Sequence, residues 1–181
     1  ANIHPYASSH LAGEYALRSS SFIDGPDIVI LRLSNAVGCP AIASSNCWKL
    51  LAHDLCRQSV EHSSLRLTSH GLQLRSFISL TDVCRTVEFF IRNDINHNNS
   101  SIYNLAGGIM SVLNFAELIN TRVSLILNRQ LKLESPPPPP YYEHLEFSFC
   151  VDKINSIMPK LDFSMTQEID DLLRFCLKHF S

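Results

Sequence analysis

The run Ile28-Val29-Ile30-Leu31-Arg32-Leu33 constrains this chain more than any other segment. Leucines and β-branched residues follow one another with a single interruption, as in a parallel strand covered on both faces. Such a strand needs hydrogen-bonded neighbours, and a parallel neighbour needs a crossover of a dozen or more residues. The 27 residues before it are taken up by a helix and a turn. Its neighbours are therefore expected from sequence outside this chain or from a second chain, and the chain is expected to be the C-terminal part of something larger.

The surrounding pattern is α/β. Residues 4–20 read as a helix with Ala7, Leu11, Ala12, Ala16 and Leu17 on an apolar stripe and Glu14 and Arg18 as an i,i+4 pair. Asp24-Gly25-Pro26-Asp27 is a turn. Helix, turn and buried strand make half of a βαβ unit. Further on, residues 46–58 predict a helix with Trp48, Leu51 and Leu55 on one side, and 65–68 and 74–80 predict short strands around Ser69-His70-Gly71. Thr81 or Asp82 is expected to cap a helix to Arg92 that buries Val83, Val87, Phe90 and Ile91. Residues 93–101 are polar and loop-like, 102–105 form a strand ended by Gly107-Gly108, and Ser111 caps a helix carrying Phe115, Leu118, Ile119, Val123 and Ile126.

The five prolines at 136–140 exclude helix and inner strand and predict a stiff spacer of roughly 15 Å. A ligand for a proline-binding module is the other reading. Asp152 is expected to cap a short helix through Ile157, and a last helix over 166–180 buries Ile169, Leu172, Leu173 and Cys176.

A formal net charge of −2 supplies no general attraction to nucleic acid or to an anionic membrane. No apolar run approaches the roughly 18 residues of a membrane-spanning helix, and no signal-peptide pattern is present. Six cysteines without a Cys-x-x-Cys pair read as buried, reduced thiols in a cytoplasmic protein. Of the eight histidines, His4 and His10 are six apart and His53, His62 and His70 are read as lacking a ligand set, so no metal site is expected.

Tyr6 and His10, four residues apart on the first helix, share a face, which is the geometry needed to activate a phenol as an acid or base. Taken alone the pair is a weak signal. Its context is Tyr6-Ala7-Ser8-Ser9-His10-Leu11-Ala12-Gly13-Glu14, then Ile30-Leu31-Arg32-Leu33-Ser34-Asn35-Ala36-Val37-Gly38. Arg75-Ser76-Phe77-Ile78-Ser79-Leu80-Thr81-Asp82-Val83, Ile102-Tyr103-Asn104-Leu105-Ala106-Gly107-Gly108 and Asp152-Lys153-Ile154 follow in order. This series resembles the C-terminal half of the extended short-chain dehydrogenases, more narrowly the nucleotide-sugar epimerases and dehydratases.

The resemblance implies the last helix and strand of a Rossmann-like NAD(P)-binding domain over 1–40. It implies a smaller α/β substrate-binding domain over 41–181, with 72–106 returning in part to the first. It also implies NAD or NADP as cofactor, a nucleotide-sugar substrate, and a homodimer by family analogy. Tyr6 matches the acid/base tyrosine. His10 stands where the family has a lysine that holds the nicotinamide ribose. Leu33 and Ser34 match the stretch beside the nicotinamide, and Asn35 and Arg75 match contacts to the nucleotide diphosphate, an anion that an arginine fork suits. Outside that implication, Arg75 can be a surface ion pair, Asn35 a turn-stabilising side chain, Asp82 a helix cap, and Asn104 a tie within its own turn.

The sequence departs from the family in three ways. It has no G-x-G-x-x-G loop, the family's upstream serine or threonine for the substrate hydroxyl would precede residue 1, and His10 stands for lysine. A free tyrosine titrates near ~10, so half-ionisation at neutral pH needs a shift worth ~4 kcal/mol. A histidine, mostly neutral at pH 7, supplies little of that charge. Two alternatives to the epimerase/dehydratase reading stay open: a non-catalytic nucleotide-sugar-binding module, and a reductase of the same fold acting on a non-sugar carbonyl.

Overall fold

A computed structural model describes residues 4–20, 26–93, 100–142, 146–161 and 164–181. Half of the expected 24–27 turn and most of the 93–101 loop lie outside the described residues. In chain order the elements are α1 (Pro5–Ser20), β1 (Ile28–Leu33), β2 (Asn35–Val37), α2 (Leu51–Glu61), β3 (Ser64–Arg66), β4 (Leu74–Ser79), α3 (Leu80–Arg92), β5 (Ser100–Leu105), β6 (Gly108–Ser111), α4 (Val112–Leu127), β7 (Lys132–Glu134), α5 (Asp152–Asn155) and α6 (Met165–Phe180).

β1 pairs in parallel with β5, Ile28 opposite Ser100 through Leu33 opposite Leu105. The expectation that the neighbours of β1 come from outside the chain is thus corrected on one edge: the partner follows the strand in sequence rather than preceding it. β2, β4 and β6 form a mixed sheet, and β3 pairs with β7 in parallel. The two strands flanking Ser69-His70-Gly71 therefore belong to different sheets and do not make a hairpin. With its parallel pairings and crossover helices, the chain has an α/β architecture.

The larger core lies between α2, α4, α6 and the β2–β4–β6 sheet and contains Leu55, Phe77, Phe115, Ile119, Leu172 and Leu173. All four residues expected inside on the last helix are buried. A smaller cluster joins Ile78, Val83, Tyr103, Leu105 and Ile154. Gly107 allows the β5–β6 connection to lie against β4, because a Cβ there would sit 2.0 Å from the Phe77 carbonyl oxygen. Residues 136–140 are exposed and form neither helix nor strand.

Several local expectations change. Residues 46–50 are turns, tied by the Trp48 indole N–H to the Ala43 carbonyl (2.8 Å), so α2 begins at Leu51. Ser79, not Thr81 or Asp82, caps α3 by accepting from the Asp82 N–H, while Glu168 of α6 accepts from the Thr81 N–H. This anchoring turns Asp82 and Thr86 inward with Val83 and leaves Val87 and Ile91 exposed. Ser111 caps α4 as expected. Asp152 lies inside α5 rather than capping it, and the Asn104 amide donates to the Cys150 carbonyl 46 residues away instead of to its own turn. Glu14 binds Arg32 of β1 through both oxygens, and the Arg18 charge also holds its carboxyl down. The stripe on α1 is not buried by any described residue. Cys56 and Cys176 are buried, and burial pushes the Cys176 thiol up to about 12; Cys84 and Cys150, expected inside, are exposed.

His53 of α2 is buried, with its Nδ1 unpartnered, and burial holds it below its usual 6.5. The unfolded chain therefore binds this proton more readily than the folded one. Stability is complete above pH 6.5 and falls as the pH drops below it towards the depressed folded value. A lower Tm at pH 5.5 than at 7.5 is expected, with the difference reduced in His53→Gln. An unchanged difference in the variant counts against His53 as its source.

Candidate active site

β1 ends at Leu33 and β2 begins at Asn35, so one short step of chain carries Leu33, Ser34 and Asn35 past the start of α1. The Ser34 N–H donates to the Leu105 carbonyl (2.8 Å), extending the β1–β5 ladder by one bond. Its hydroxyl oxygen is buried without a hydrogen-bond partner. An orphan hydroxyl of this kind costs free energy unless a ligand or rearrangement satisfies it.

Two clefts meet here. One, of ≈ 720 Å³, is lined by Tyr6, His10, Glu14, Arg32, Leu33 and Ser34, among others. The other, of ≈ 460 Å³, is lined by Tyr6, Leu33, Ser34, Asn35 and Arg75, with Leu50, Leu51, Phe147 and Phe149 along its walls. The six residues singled out from sequence thus come together, with Tyr6, Leu33 and Ser34 common to both clefts.

The Tyr6 and His10 rings lie 4.3 Å apart between centroids, tilted by 48°. Tyr6 is 68% exposed and so open to a ligand. Glu14 is held below the usual carboxylate range, chiefly by its hydrogen bonds to Arg32, with His10 adding to the same effect. The Asn35 amide N–H donates to the Ser76 carbonyl (2.9 Å), so this side chain bridges β2 to β4 rather than stabilising a turn. That bond fixes the carboxamide in the cleft that Arg75 also lines. Arg75 is exposed and makes no ion pair among the described residues, which sets aside the surface-pair reading.

Sequence reasoning missed Phe147 and Phe149. The signal was present: residues i and i+2 of an extended segment point to one side, and both follow the proline run. No group of three or more His, Cys, Asp or Glu able to hold a metal occurs among the described residues. No helix among them is long and apolar enough to cross a membrane.

Solved structures share the fold. A UDP-N-acetylglucosamine 4-epimerase from Methanobrevibacter ruminantium M1 matches with a TM-score of 0.70 and 20% identity, over 98% of this chain and 55% of its own. A UDP-glucuronic acid 4-epimerase from Bacillus cereus, in complex with UDP-glucuronic acid and NAD, gives 0.73 and 19% over 98% and 54%. RMD from Pseudomonas aeruginosa, complexed with NADPH, gives 0.75 and 16% over 98% and 57%. The chain thus spans about half the length of these structures. No curated protein matches it in a sequence search. The model of the NAD dependent epimerase/dehydratase family matches residues 1–106, more than half of the chain, and the chain belongs to that family.

Proposed function

We propose that this chain carries the acid/base tyrosine and the substrate contacts of an NAD(P)-dependent nucleotide-sugar epimerase or dehydratase. The observation that carries the reading is the shared wall: Tyr6, Leu33 and Ser34 stand between a cleft holding His10 and a cleft holding Asn35 and Arg75. The solved epimerases and dehydratases of the same fold, described with NAD, NADPH or UDP-sugars, support it. In this reading residues 1–40 belong to a cofactor domain and 41–181 mostly to a substrate domain, in a cytoplasmic protein that pairs with a second copy.

The residues present suit the nicotinamide end of the cofactor. Tyr6, His10, Leu33 and Ser34 share one cleft, and the orphan Ser34 hydroxyl lies at its edge. When bound, a nicotinamide cofactor supplies a hydride acceptor. Tyr6 takes the proton of the sugar hydroxyl at its phenolic oxygen and returns it when the hydroxyl is restored. His10, packed against the Tyr6 ring, is the residue beside the phenol that can support its acid/base role. Arg75 and the Asn35 carboxamide hold the diphosphate.

No glycine-rich phosphate loop occurs in the 181 residues. The chain by itself is therefore expected to bind cofactor weakly, and a shift of NADH fluorescence at micromolar cofactor would sink that expectation. For the substrate site, Arg75→Ala is expected to weaken binding of a nucleoside diphosphate by about 10–100-fold, the worth of a charged hydrogen bond. Calorimetric titration of UDP and dTDP reads this, and equal affinities for both proteins would remove Arg75 from the site.

The departure at His10 favours a second reading, in which the site binds a nucleotide sugar without turning it over. The tilted ring contact supports it, because His10 makes no hydrogen bond to the Tyr6 phenolic oxygen among the described residues. In the enzyme carrying this chain, His10→Lys separates the two: a gain in NADH formation supports the acid/base role, and no gain supports binding alone.

A further inference from the structure

The segment carrying Phe147 and Phe149 follows the exposed proline run and forms neither helix nor strand, yet both rings reach the cleft that holds Tyr6 and Arg75. Phe147 remains 38% exposed and Phe149 is half-buried, so each keeps ring surface that the fold does not cover. Nothing in the large core uses either ring. Leu50, Leu51 and Ala52 line the same cleft. Arg75 is the only charged side chain along it among the described residues.

This wall lies in a defined place along the ligand. In a nucleotide sugar the hexose sits between the diphosphate and the reacting hydroxyl, hence between Arg75 and Tyr6. We propose that Phe147 and Phe149 are specificity-determining residues that pack on an apolar face of the hexose. They select a deoxy- or acyl-sugar over a sugar bearing a second negative charge. The inference rests on the nucleotide-sugar reading of the cleft and names the sugar class within it.

Two physical effects act in the same direction. Aromatic rings offer large, rigid apolar area, and C–H groups of a sugar face can cover it. A uronate carboxylate placed against those rings loses water without gaining a cation, because the one guanidinium of the cleft is committed to the diphosphate. Differences of one apolar group in such a wall are worth roughly 10–200-fold in discrimination.

The test is a calorimetric panel on this chain, using UDP and dTDP alone and their glucose, 6-deoxyhexose and glucuronic acid conjugates. The unchanged chain is expected to bind the 6-deoxyhexose conjugate about 10-fold more tightly than the glucuronic acid conjugate. Phe147→Ser/Phe149→Ser removes that preference and leaves the affinity for the free nucleoside diphosphate unchanged. Partial exposure of both rings keeps the double variant foldable, which its melting curve checks. A preference that survives the double variant, or an equal loss for every ligand including the free diphosphate, overturns the proposal. If neither the diphosphates nor their conjugates bind, or if Arg75→Ala changes nothing, the nucleotide-sugar reading itself falls.

Discussion

Phe115→Ala is expected to destabilise the chain by about 3–5 kcal/mol and to lower its Tm by roughly 6–20 °C. Phe115 is fully buried and stacks on Phe77 with ring centroids 3.9 Å apart and planes 4° from parallel. Removing it deletes the transfer energy of an aromatic side chain and opens a hole between α4 and the β2–β4–β6 sheet. Neighbours such as Val37, Leu172 and Leu173 belong to the same packed cluster and can only partly refill it. Leu11→Ala on the exposed stripe of α1 serves as the control and should leave the Tm nearly unmoved. Chemical denaturation with matched m-values gives the energy directly. A Phe115→Ala loss below about 1.5 kcal/mol would mean that the core collapses around the gap, against the rigid packing described for it.

The second large effect is chemical. Tyr6→Phe removes one oxygen atom, and with it the group proposed to move the substrate proton. A positioned acid/base is worth about 10²–10⁴-fold, so kcat should fall by that factor in the enzyme carrying this chain. KM should change little, because the diphosphate contacts proposed at Asn35 and Arg75 lie on other elements. Stability should not change either: no residue of α1 is buried among those described. This separation makes the measurement decisive. A fall in kcat with an unchanged melting curve assigns the loss to chemistry, whereas unchanged kcat would leave Tyr6 as a surface tyrosine.

Much of this was readable from residue order alone. β1 announced itself by an apolar run that few other elements can carry, and α4 and α6 by apolar residues at helical spacing next to a capping serine or a polar start. The clustering of the candidate residues was legible for a related reason. Leu33 ends a strand that is easy to find, Ser34 and Asn35 follow it directly, and Tyr6 and His10 share a helical face by spacing alone. What failed was information carried by distant partners. Ser79, Thr81 and Asp82 are all able to cap, and the choice fell to Ser79 because β4 runs straight into α3. The inward face of α3 then followed from Glu168, which is 87 residues from the N–H it accepts. Asn104 illustrates the same limit, since the carbonyl it binds lies in a segment that no local pattern connects to it.

The last helix has a consequence for synthesis. Glu168 closes the start of α3, Asp170 takes the Arg122 guanidinium of α4 through two bonds of 2.6 and 2.5 Å, and Leu172, Leu173 and Cys176 complete the large core. A chain growing on the ribosome therefore carries α2 and α4 with their apolar faces uncovered until α6 has left the exit tunnel. Synthesis at about 5–20 residues per second leaves that surface unshielded for seconds after α4 is made. Nascent chains stalled before residue 165 should accordingly be the species that chaperones hold.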